Sequence, residues 1–240
     1  MTVRAIRSQT VEELRMTIER GETLLVTFGI PIILLIFFSE VSVFSTGTSH
    51  GVGFVAPGIL ALAVMSSSMV SLGIATGFER SYGVLKRIGM TPLGRRALIS
   101  AKILAVIEVE ILQMIVLGAI AFGLGWHPGP QIPEALGALV LASIAFGGIG
   151  LFLAGTLRAE ATLALANGLY VIFLLIGGII FPLDKLGGFA EFAKLLPGAA
   201  LTNILHPIFS GAQAPVSAWI TLGAWAILGP IAATRCFRFE

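Results

Sequence analysis

Apolar runs long enough to cross a bilayer recur along the whole chain, and nothing constrains its fold more. They occupy 23–44, 54–78, 97–124, 134–157, 161–181 and 214–233. A hydrocarbon core about 30 Å thick is crossed by about 20 such residues in a helix. Inside lipid every backbone N–H and C=O needs a partner within the protein, so only helices and closed barrels span. A barrel would alternate apolar and polar residues in ~10-residue segments, and this chain does not. Of its 240 residues 12% are charged and 56% hydrophobic, against about 25% charged in soluble domains. The expected fold is all-α: a polytopic membrane protein of six transmembrane helices, with 1–240 as a single transmembrane domain.

The segments between the runs are short and unequal in charge. Residues 1–21 are polar, with Val3, Ile6, Leu14 and Ile18 at helical spacing, which predicts an amphipathic helix on the membrane surface or on a partner. No apolar signal-peptide core precedes the first span. The second span contains Gly73-x-x-x-Gly77, a pattern that lets helices approach closely. Residues 183–213 are broken by Gly187, Gly188, Pro197, Gly198 and Pro207 and carry Leu186, Phe189, Phe192, Leu195 and Leu196. They predict two short helices dipping into the interface without crossing. Of 15 Lys and Arg, 13 fall in the N-terminal tail, the loop after the second span, the turn at Arg158 and the C-terminal tail. By the positive-inside rule these are cytoplasmic, with both termini on that side.

Nothing in the chain supplies energy or group-transfer chemistry. A phosphate-cradling Gly-x-x-x-x-Gly-Lys-Ser/Thr, a His-Glu-x-x-His and a Gly-x-Ser-x-Gly are all missing. His50, His127 and His206 are scattered over expected outer loops, Asp184 is the sole Asp, and Cys236 has no second Cys to pair with. No metal site is expected. The charges with most to say inside a span are Glu108 and Glu110. Ionisable residues at membrane depth face a cavity or a partner. Two residues apart on a helix is about 200° of rotation, so one is expected toward a solute path and the other toward Lys102 or another helix. The alternative is that both pair or snorkel near the interface. A proton- or ion-coupled secondary transporter using Glu108 and Glu110 is one reading. Against it stand the lack of an inverted repeat and of broken midplane helices.

The basic loop at 79–96 is the largest polar interruption. Glu79, Arg80, Gly83, Leu85, Lys86, Arg87, Thr91 and Pro92 lie in it. Val84–Ile88 reads as a short amphipathic helix between Gly83 and Gly89, stopped by Pro92. Held between two long spans, it is suited to docking in a groove of another protein. The plainer alternative is a positive-inside loop that only fixes orientation.

The string Glu-Arg-x-x-Gly-x-Leu-Lys-Arg-x-x-x-Thr-Pro-Leu at 79–93, followed by Ala101-Lys102, resembles the cytoplasmic loop of the permease subunits of type-2 ABC exporters. The chain departs from the family pattern at Val84, Lys86 and Ala101, where Thr, Glu and Gly are usual. Pro182 and Pro197 resemble the turns of that family's re-entrant outer helices, with Asn203 nearest the polar position that often follows. The resemblance implies two facing six-span permeases, identical or related, each carrying a separate ATPase subunit. ATP and Mg would sit on those two ATPases, and no cofactor on this chain. Loop 79–96 would be the coupling helix region, and the N-terminal helix would also touch the ATPase. An amphipathic solute (drug, antibiotic or lipid-like) would leave through a path between the permeases in a bacterial cell membrane. In size and lack of insertions the chain is similar to drug-efflux permeases, and no nucleic acid is involved.

Overall fold

A computed structural model describes residues 3–19, 21–40, 51–90, 94–179 and 183–238. Two helices begin the chain, α1 (Val3–Glu19) and α2 (Gly21–Glu40). The second apolar run is one continuous rod in three parts: α3 (Gly51–Val64), a π-helical segment (Met65–Ser71) and α4 (Leu72–Ser81). Then come the short α5 (Val84–Gly89), and the long α6 (Arg95–Gly123), α7 (Ile132–Thr156) and α8 (Ala159–Ile176). A 3-10 turn (Leu183–Phe189), α9 (Ala190–Ala193), α10 (Pro197–Phe209) and α11 (Val216–Cys236) complete it. Among the described residues there is no strand. Among the described residues five helices are long and apolar enough to cross a membrane, and six spans result when α1 and α2, bent by 70°, count as one broken span.

α7 is the centre of the bundle, and its glycines explain why. A Cβ at Gly148 would lie 2.4 Å from the Pro230 nitrogen of α11, and one at Gly150 would lie 2.5 Å from the Met69 carbonyl oxygen. Two backbones therefore press onto opposite faces of α7, the close approach that small residues permit in membranes. Gly73 lies against Gly150, and Gly77 against Thr162. The Gly73–Gly77 motif thus serves packing within the chain.

All four basic segments meet at one end of the bundle, here the basic end. Leu85 of α5, Leu98 of α6 and Phe237 after α11 share one buried cluster. Lys102 of α6 reaches Glu13 of α1, and Arg80 reaches the Leu157 carbonyl between α7 and α8. At the opposite end Trp126 stands edge-on to Phe209, and the Gly129 N–H donates to the Phe209 carbonyl at 2.9 Å.

Three features depart from expectation or add to it. The π-helical segment has no counterpart in the sequence reading. Ser68 Oγ donates back to the Val64 carbonyl at 2.5 Å, competition of the kind that loosens a regular α-helical ladder. The fifth span stops at Ile176 and not near 181, because Gly178 takes φ 76°. Thr202 Oγ1 then donates to the freed Gly177 carbonyl at 2.5 Å. Finally, α10 is too short to cross, as expected, and packs into the bundle: Ala199, Leu201, Ile204, Leu205 and Ile208 are wholly buried. Only the first piece of that segment shows apolar side chains outward, at Phe189, Phe192 and Leu195. His206 accordingly sits on α10, stacked 4.6 Å from Phe54, and not on an outer loop.

Candidate functional site

The loop between the second and third spans is built by one residue with a left-handed backbone. Gly83 takes φ 73°, a conformation glycine adopts without steric cost, and so lets α5 turn away from α4. α5 is amphipathic, with its apolar side turned inward at Leu85, which is fully buried. Lys86 and Arg87 are exposed, as are Tyr82, Val84 and Met90. The outward face is therefore basic and partly apolar, and the expected Leu85 contact points into the chain. Thr91 and Pro92 lie outside the described residues.

Glu79 and Arg80 act as ties within the chain. Lys102 Nζ donates to Glu79 Oε2 at 2.7 Å and to Glu13 Oε2 at 2.8 Å. This joins the surface helix, the end of the second span and the start of the third. Lys102 is 1% exposed, so the cluster is sheltered from water, and breaking it leaves buried charge without its partner. Arg80 Nη2 donates to the Leu157 carbonyl at 2.5 Å.

Beside this cluster is a cavity of about 770 Å³ between α1, α2, the π-helical rod, α6 and α8. That volume is in the range of small-molecule sites. Its walls are mostly apolar, with Thr27, Ser66, Ser67, Ser71, Asn167 and Tyr170 among the polar groups and the Glu13–Lys102–Glu79 cluster at its basic end. Sequence reasoning missed these polar groups. The available signal was the run Ser66-Ser67-Ser68 and Ser71 inside an apolar span.

Glu108 and Glu110 point to opposite sides of α6. Glu108 is exposed on its outer surface, while Glu110 is 1% exposed and accepts a hydrogen bond from Ser143 Oγ of α7. Glu110 Oε1 is buried with no hydrogen-bond partner. The expected pairing with Lys102 is not made. Lys102 lies six to eight residues nearer the basic end, roughly 9–12 Å along the helix, and Glu13 and Glu79 hold it. Neither Glu108 nor Glu110 lines the cavity. One turn on, Gln113 makes a second buried tie: Nε2 donates to the Thr27 carbonyl at 2.6 Å, and Oε1 accepts from Ser67 Oγ at 3.1 Å. Gln113 is three residues from Glu110 on the same helix face, a spacing that was legible and went unread.

At the opposite end Pro197 occupies the first turn of α10, where its fixed φ and missing N–H carry no penalty. Pro182 lies outside the described residues. Asn203 is half-buried on α10. Among the described residues no three His, Cys, Asp or Glu side chains converge on a point that would hold a metal ion. The described residues offer a charged, exposed short helix at the basic end and a cavity with polar groups beside it.

The ABC-2 type transporter family matches this chain over residues 6–209. A protein of Bacillus subtilis (strain 168), YvfS, described as a transport permease, is 24% identical over 185 residues, covering 75% of this chain and 74% of its own. The family match spans α10 as well as the loop at 79–96 and every residue that lines the cavity. The chain belongs to the ABC-2 type transporter family, as a multi-pass membrane permease of an ABC transport system.

Proposed function

We propose that this chain is the membrane half of an ATP-driven exporter in a bacterial cell membrane, working as one transmembrane domain with both termini cytoplasmic. The observation that carries the reading is the placement of α5: exposed Lys86 and Arg87 on its outer face, and Leu85 anchored in the bundle. A partner ATPase that holds ATP and Mg would grip the outer face, and the anchored face would pass its movement on. Glu79 and Arg80 brace the loop, and Gly83, Thr91 and Pro92 would belong to the same coupling segment. α1, joined to the loop through Lys102, would rest on the ATPase too.

A second permease, identical or related, completes the transporter in this reading. The outward faces of α2 and α8 support it: Ile33, Phe37, Val171 and Ile172 are exposed, and a Cβ at Gly168 would meet nothing within 4 Å. Two chains and two ATPases would then enclose the cavity of each permease. Apolar walls with scattered hydroxyl and amide groups suit an amphipathic solute, such as a drug, antibiotic or lipid-like molecule. The ion-coupled alternative draws less support, because neither Glu108 nor Glu110 lines that cavity.

The test is purification of the tagged chain from its native membrane in mild detergent, with every co-purifying protein identified. The expected result is an ATPase with a P-loop, lost or weakened by Lys86→Glu with Arg87→Glu. Recovery of the chain alone, under conditions that keep a known ABC complex together, would overturn the reading.

A further inference from the structure

The end of the chain is built into the same packing unit as the loop helix. Leu85 of α5 shares a buried cluster with Leu72 of α4, Leu98 and Ile99 of α6, Leu151 of α7 and Phe237. Phe237, just beyond α11, is 0% exposed. Its N–H donates to the Ala233 carbonyl at 2.9 Å, and the next N–H, of Arg238, donates to the Gly155 carbonyl at 3.1 Å. The seat exists because residue 155 is glycine: a Cβ there would lie 2.5 Å from Phe237 Cδ2 and 2.9 Å from its Cα.

The chain itself connects α5 only to α4 and α6. Its connection to α7 and α11 is non-covalent, through this cluster; the bond from Arg80 to the Leu157 carbonyl ties the end of α4, not α5, to the same end of the bundle. Close-packed interiors have low compressibility and pass displacement on; a void does not. We infer that Phe237 is a positioning residue for coupling: seated on Gly155 in the buried cluster that also holds Leu85, it makes α5 and the basic ends of α7 and α11 one rigid unit. Movement imposed on α5 then reaches the fourth and sixth spans directly, and not only the second and third. The inference rests on the ATPase-coupled reading above.

Electron paramagnetic resonance on the purified transporter tests it without knowledge of the solute. Nitroxides are placed on native Cys236, which is exposed, and on Gly89→Cys at the end of α5. The distance between them is read without nucleotide and with ATP plus vanadate. The expected result is a narrow intrachain distance, the same in both states and separate from any longer distance between two permeases. Phe237→Ala, and Gly155→Ala with Phe237 intact, lose that narrow, state-independent distance while the ATPase still co-purifies; Phe237→Leu, which refills the seat, restores it. A native distance that changes between the two states overturns the inference, as does a Phe237→Ala distance as narrow as the native one. Absence of any ATPase from the preparation overturns the coupled reading itself, a result distinguishable from either.

Discussion

Lys102 is where a single substitution should cost most. It is buried and donates to two carboxylates from separate helices. Lys102→Met leaves Glu13 and Glu79 facing each other without it, and removal of one partner from a buried ion cluster costs about 3–5 kcal/mol. The thermal unfolding temperature of the detergent-purified protein should fall accordingly, and adding Glu13→Gln and Glu79→Gln should recover most of the loss. An unchanged unfolding temperature in the single variant would remove the cluster from the stability argument. Glu110 is the contrasting case. An amide oxygen accepts from Ser143 Oγ as a carboxylate does, so Glu110→Gln should retain both folding and transport, measured as ATP-dependent efflux. Efflux abolished in a well-folded Gln variant would place Glu110 in the pathway after all. The opposed faces of Glu108 and Glu110 were legible from about 100° of turn per residue. Their partners were not: Ser143 is 33 positions from Glu110, and no local pattern links them.

At the scale of elements, glycines fall into two classes by what surrounds them. Gly148 has the α11 backbone against it, so Gly148→Ala forces α7 and α11 apart, an overpacking typically worth 1–3 kcal/mol. Thermal unfolding in detergent should register the loss. Gly168 on α8 opens outward, so Gly168→Leu should leave the unfolding temperature of the single chain unchanged. In the two-permease reading it should instead weaken pairing, read as the fraction of cross-linked pair in native membranes. Lost stability without lost pairing would put that face inside the fold. The long helices were readable because each is one uninterrupted apolar run. The π-helical segment was not: serines tolerate an α-helix as readily, and the backbone that packs against it, at Gly150, lies far along the chain. The packing of α10 was not readable for a related reason. Its amphipathic pattern reports two environments but not which of them is core.

For the whole molecule, the decisive property is which end faces the cytoplasm. Thirteen of 15 Lys and Arg lie in four segments of the sequence, and contacts gather those segments at one end. Cys236 is the sole cysteine, and it is exposed at that end. A membrane-impermeant maleimide should therefore label the native protein in inside-out vesicles and not in intact cells. Labelling in intact cells would invert the topology and with it the assignment of α5 to the ATPase side.

The sequence alone determined that this chain is a helical membrane protein, roughly where its spans fall, and which loop is set apart by charge. Those properties follow from hydrophobic length and charge placement, which act locally and along one dimension. Only the tertiary structure decided that Lys102 holds Glu13 and Glu79, that Leu85 turns inward into the cluster that holds Phe237, and that a serine-rich π-helical segment lines a cavity. Each of these joins residues from distant parts of the chain, brought together by the close approach of whole helices across glycine faces.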